Sequence, residues 1–167
     1  MNWRVELRNI FEDATAAALA RVGLQSFEGF NSQASHSGRE NYASDLSVLF
    51  SYASIGGGQT VKLREKGIQS RQFVPVVVSL QVVFRDFTDD AQMAAYDYAD
   101  AICAQLDGVK NNPILHGRIF KTSESEDTNH DALYVYTLTF AVDVWQVHQG
   151  KEIKDMAEVV DIKVNKK

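Results

Sequence analysis

The sequence predicts an α+β fold: a mainly antiparallel (mixed) β-sheet with an N-terminal helix and a central helix, about 88–107, packed on one face. Three observations predict it. Apolar residues recur at i, i+3, i+4 and i+7 through residues 3–22, which is the spacing of one buried helical face. Two later stretches, 76–84 and 134–144, alternate apolar residues at period two, as strands do. Between them "FRDFTDDAQ" changes the period back to that of a helix, with helix-starting residues at the junction.

Asn2 can cap the first helix, whose apolar residues are Trp3, Leu7, Ile10, Phe11, Ala14, Ala17, Ala18 and Val22, and Gly23 is a natural stop. Glu6, Arg8, Glu12, Asp13 and Arg21 occupy much of its remaining surface. Residues 27–45, rich in Ser, Asn and Gly, read as a long irregular connection. "LSVLFSYAS" from Leu46 predicts a strand. "IGGGQ" then reads as a flexible hairpin tip, and "TVKLREKGIQSRQF" as a second, more exposed strand. Pro75 stands at the entry of the next strand, where a missing N–H does least harm. Val76, Val78, Leu80, Val82 and Phe84 line one face of that strand. Val77, Ser79, Gln81, Val83 and Arg85 line the other, which is mixed.

Thr88 is a good N-cap for the central helix, and Asp89 and Asp90 suit its dipole. Its buried stripe is Ala91, Ala94, Ala95, Tyr98, Ala101, Ile102 and Leu106, and Gly108 ends it. Residues 114–120 then predict a strand. "KTSESEDTNHD" reads as an acidic hairpin loop, with Glu124, Glu126, Asp127 and Asp131 against Lys121. A long strand over 132–147 puts Tyr134, Tyr136, Leu138, Phe140, Val142 and Val144 on its apolar face. Thr137, Thr139, Asp143 and Trp145 fall on the other. Residues 1–148 thus read as a single α+β domain and 149–167 as a C-terminal extension. In that extension Val160, Ile162 and Val164 alternate as an added strand able to pair with a neighbouring subunit.

Composition narrows the function classes. Hydrophobic residues make up 45% of 167 residues, enough for a proper core. A net charge of −5 argues against a surface built to neutralise phosphates. The N-terminus is broken by charges every few residues and lacks the apolar run of a signal peptide. The longest uncharged apolar run, 73–84, is too short to span a bilayer as a helix. The expectation is a soluble intracellular protein with no membrane association.

No motif carries chemistry. The triple glycine is followed by neither Gly-Lys-Ser/Thr nor GxGxxG. His36, His116, His130 and His148 lack metal-binding spacing, and Cys103 sits mid-helix rather than at an N-terminus that would lower its pKa. The acidic group Glu124, Glu126, Asp127 and Asp131 lacks the glycine and terminal glutamate of a calcium loop. The sequence therefore predicts no catalytic residue, no cofactor and no metal.

The order of elements says more. "VPVVVSLQVVFRDF", then "AYDYADAICAQLDG", then "ALYVYTLTFAVDVW" after an acidic gap resembles the tail terminator proteins of long-tailed phages. The likeness is to the lambda-type terminator and the related small tail proteins of Mu-like phages. It covers residues 74–145, with the first helix in support. The resemblance implies a structural virion protein without enzymatic activity, acting as a hexameric ring. Such a ring sits on the finished tail tube, stops its polymerisation and offers a surface to the neck of the head. Assembly would take place in the bacterial cytoplasm, and DNA would pass through without specific binding. Six copies of −5 carry −30, which suits a lumen that must not grip phosphates. The mixed strand faces nominate Ser79, Gln81, Arg85, Thr137, Thr139 and Trp145 for a subunit interface, with Val160, Ile162 and Val164 of the extension. Two other readings are another neck or tail-completion protein, and a small-molecule-binding module with its pocket between helix 88–107 and the sheet.

Overall fold

The computed structural model describes residues 2–23, 28–31, 46–63, 69–85, 88–130 and 133–146. Helix α1, Trp3–Val22, begins where the Asn2 side chain accepts the Arg4 N–H at 3.1 Å. It ends at Gly23, whose φ of 72° is the left-handed conformation glycine adopts without a Cβ penalty. Trp3, Leu7, Phe11, Ala14 and Ala18 are buried as the spacing predicts. Ala17 is exposed, and Thr15 and Leu19 are buried beside the predicted residues instead. The Thr15 hydroxyl is satisfied by donating to the Phe11 carbonyl at 2.9 Å. Helix α2, Asp89–Asp107, starts at Thr88, whose hydroxyl accepts the Ala91 N–H at 3.0 Å.

Six strands form one sheet: β1 (Glu28–Asn31), β2 (Leu46–Ile55), β3 (Gln59–Leu63), β4 (Gln69–Phe84), β5 (Phe120–His130) and β6 (Leu133–Gln146). Their order is β1-β2-β4-β6-β5, with β3 also on β4. Every pair is antiparallel except β1–β2, so the sheet is the mainly antiparallel, mixed one expected. Both helices lie on one face. There Val76, Val78, Leu80 and Val82 of β4 meet Leu138, Phe140, Val142 and Val144 of β6 and Val48 and Phe50 of β2 in a single core. Phe11 joins the layers, 5.7 Å from Phe50 and 5.4 Å from Phe140 between ring centroids. The buried Tyr98 hydroxyl ties the helices together by donating to the Thr15 carbonyl at 3.0 Å. Ala95, Ala99 and Ala101 keep α2 close to its neighbours.

Five sequence expectations are corrected. The irregular connection over 27–45 contains a strand, since Glu28–Asn31 pairs in parallel with β2. Its four residues, EGFN, are too few to show an alternation. The glycine triplet is not a hairpin tip. Both β2 and β3 run antiparallel to β4 along the same edge, with Ile55 opposite Val76 and Gln59 opposite Phe73. Gly56, Gly57 and Gly58 therefore lie opposite only Val74 and Pro75, a one-residue excess of the bulge kind inside one long, broken strand on that side of β4. β3 ends at Leu63 and β4 begins at Gln69, paired with each other in antiparallel register.

Pro75 stands inside β4 rather than at its entry, because β4 begins at Gln69. Its carbonyl accepts the Gly56 N–H at 2.8 Å. A strand residue's N–H and C=O point the same way, so the donor that proline lacks would face the glycine break, where no ladder partner waits. Finally, the acidic segment 121–131 is not a loop, since residues through His130 form the edge strand β5. The predicted strand 114–120 shrinks to a bridge of Leu115 with Val144, followed by a bend containing Gly117 at φ 102°.

Candidate functional site

The second face of the sheet carries no helix among the described residues. The register sets its side chains in rows. Ser51, Ser79, Thr139 and Ser123 line up across four strands, and Leu49, Gln81, Thr137 and Ser125 form the next row. Ser79, Gln81, Thr137 and Thr139 are half-buried, so four of the predicted interface residues do share one surface. At one end of this face Leu49, Val83, Leu133 and Val135 make a small buried apolar cluster. At the other end Phe73, His116 and Trp145 stack. The His116 ring lies 4.7 Å from Phe73 and 4.3 Å from Trp145 between centroids. Trp145 therefore joins the face at its margin, while Arg85 is half-buried just beyond the end of β4. The face offers hydroxyls, an amide and flat aromatic surface. Val160, Ile162 and Val164 lie outside the described residues, as do Asp131 and His148.

Two rims flank the helix-bearing face. At the β5 rim the alternation points Lys121, Glu124 and Glu126 toward the α2 side and Ser123, Ser125 and Asp127 toward the helix-free side. Glu126 accepts hydrogen bonds from the Tyr96 hydroxyl and, at 3.1 Å, from the Gln92 amide. Glu124 pairs with the Lys121 ammonium at 2.8 Å, which holds its carboxyl below the usual range. The hydrogen bond to Glu126 raises the Tyr96 pKa, and Tyr136 is pushed up to about 12 by burial and by Glu124. Tyr96, Asp100, Glu124, Ser125, Glu126 and Tyr136 line a hollow of ≈ 510 Å³.

The opposite rim is basic. Arg4, Val5, Arg8, Phe50, Ser51 and Tyr52 line a hollow of ≈ 420 Å³. The Tyr52 hydroxyl donates to the Arg4 carbonyl at 2.5 Å, and burial pushes its pKa up to about 12 although both guanidiniums pull it down. The Arg4 guanidinium lies 4.5 Å from the Trp3 ring centroid.

Cys103 is half-buried, and burial raises its thiol pKa, the opposite of an activated nucleophile. Among the described residues no group of three His, Cys, Asp or Glu side chains is placed to hold a metal ion. No described helix is long and apolar enough to cross a membrane. Sequence reasoning missed both the aromatic end of the helix-free face and the basic rim. Arg4 and Arg8 are four residues apart, a spacing that puts them on one flank of α1, and that was the available signal.

No protein-family model matches the chain, and no curated protein does. Among solved structures, the chain is similar to one in the virion of a native gene transfer agent particle. The match has 16% identity and a TM-score of 0.44, and covers 84% of this chain and 95% of that one.

Proposed function

We propose that this chain is a structural virion protein: a tail terminator of a long-tailed phage or phage-like particle. In this reading six copies form a ring that caps the tail tube, stops its polymerisation and provides the surface that joins the head. The observation that carries the reading is the layering. Both helices cover one face of the sheet, and the other, built from Ser79, Gln81, Thr137 and Thr139, has no helix over it among the described residues. A half-buried sheet face of small polar side chains is a surface suited to meeting another protein. The same order of strands and helices underlies the family resemblance, and the −5 charge suits a ring through which DNA passes. The extension beyond residue 148, with Val160, Ile162 and Val164, adds a strand to a neighbouring copy in this reading.

The alternative of a ligand pocket between α2 and the sheet has less to support it. Tyr98, Ile102, Leu138 and Phe140 fill that space and are fully buried, and the two hollows described above open at the rims instead.

Deleting the gene from the particle that encodes it tests the proposal. The expected result is tails of uncontrolled length that fail to join heads, seen by negative-stain microscopy. Tails of normal length joined to heads would refute it. Removing residues 150–167 is expected to weaken assembly, and an unchanged assembly would remove the added strand from the reading.

A further inference from the structure

We propose that copies of this chain meet head to tail through the two rims of the helix-bearing face, the Arg4–Arg8 rim of one copy against the Asp100–Glu124–Glu126 rim of the next. The inference rests on the proposed function only in taking the partner to be a second copy of the chain.

The rims lie at opposite ends of the sheet order. Helix α1 packs beside β2, where Trp3 and Tyr52 stand 6.0 Å apart, and α2 packs beside β5, where Tyr96 and Gln92 reach Glu126. Their charges are opposite. On the acidic side Lys121 is matched by Glu124, while Glu126 accepts from two neutral donors, the Tyr96 hydroxyl and the Gln92 amide, and Asp100 is exposed beside it. The tyrosines register the two fields. Tyr52 feels both guanidiniums, whereas Tyr96, Tyr134 and Tyr136 are all raised in part by Glu126.

Apolar surface and open strand edges accompany the charges. Among the described residues the exposed large hydrophobic ones are Val5 and Ile55 on the α1–β2 side, Met93 on α2, and Phe120, which opens β5 on the helix-free side opposite Ala141. Each is 42–59% exposed, and Val5 lines the same hollow as Arg4 and Arg8, so a contact there would cover it together with the two guanidiniums. Among the described residues, β1 pairs with β2 no further than Leu49, and β5 has only β6 beside it. Two different patches that complement each other, one at each end of a sheet, define a heterologous contact, which closes into a ring when the rotation allows.

Charge reversal tests this. Asp100→Lys with Glu126→Lys makes both rims basic, and Arg4→Glu with Arg8→Glu makes both acidic. Each variant alone is expected to associate at least about tenfold more weakly than wild type in sedimentation velocity, because like charges then face each other. Mixed in equal amounts, the two variants are expected to regain association, since each rim again meets its opposite. Circular dichroism checks that each variant is folded. Where one is not, the salt dependence of the wild-type chain takes its place, with association expected to weaken from 50 to 500 mM salt as screening grows. Folded variants that associate like wild type, a mixture that gains nothing, or wild-type association indifferent to salt would each overturn the proposal. A terminator role would fail in tail length and head joining, so the two readings can fail separately.

Discussion

Gly56 carries no side chain because Pro75 occupies the space one would need. A Cβ built there would lie 2.6 Å from Pro75 Cγ and 3.3 Å from its carbonyl oxygen, against a ring that cannot swing away. Gly57 would meet nothing within 4 Å. Gly56→Ala is therefore expected to destabilise the chain by about 1–3 kcal/mol through overpacking, and Gly57→Ala by much less, as measured by urea denaturation. Equal effects would mean that the glycine break matters for chain freedom rather than for close approach. The tyrosines give a second prediction at this scale. Five of the six, Tyr52, Tyr96, Tyr98, Tyr134 and Tyr136, have pKa values raised above 10.0, chiefly by burial and, for Tyr96, by the bond to Glu126. Raised folded-state values mean that above pH 10 the unfolded chain holds fewer protons than the native one. The tyrosines' contribution is thus complete below pH 10 and lost as the pH rises through about 12, where Tyr52 and Tyr136 titrate. Tyrosinate absorbance at 295 nm should rise together with alkaline unfolding; most of it appearing near pH 10 with the fold intact would contradict the burial described here.

Helix α2 depends on its first turn. Thr88→Ala removes the acceptor of the Ala91 N–H and is expected to cost about 1 kcal/mol. For a chain of this size that amounts to about 2–4 °C in Tm by calorimetry. The start of α2 was readable in the sequence because capping is local: Thr88, Asp89 and Asp90 are adjacent and act on the same turn. The central strands were readable for a related reason, since Val76 to Phe84 and Tyr134 to Val144 each bury every second residue against the helices. Strand β5 was not. It is an edge strand whose helix-side positions hold Lys121, Glu124 and Glu126, and whose other face holds Ser123 and Ser125, so burial imposes no apolar alternation. The glycine triplet misled for a different reason. Glycine serves turns and close approaches alike, and only the pairing of β2 and β3 with one strand tells them apart. Of the candidate site, the mixed face of Ser79, Gln81, Thr137 and Thr139 was legible as an alternation. The opposed rims were not, because Arg4 and Glu126 acquire their relation only once α1 and β5 stand at opposite edges.

The molecule as a whole is organised around β4, which pairs with β2, β3 and β6. Its ladder with β6 runs from Gln72–Gln146 to Phe84–Tyr134, whereas β3 is held only by the first residues of β4. Native-state hydrogen exchange should therefore be slowest in the middle of β4 and β6, at the global unfolding limit, and faster in β3, which can open while the rest stays folded. Equal protection in β3 and β6 would show that the glycine break does not separate the two parts. The adjacency of β4 and β6 also has a consequence in time. The two strands are far apart along the chain, so a growing polypeptide displays the apolar face of Val76, Val78, Leu80 and Val82 well before Leu138, Phe140 and Val142 emerge to flank it. During that interval β4 is a half-built sheet whose apolar face is open to association until β6 arrives to flank it.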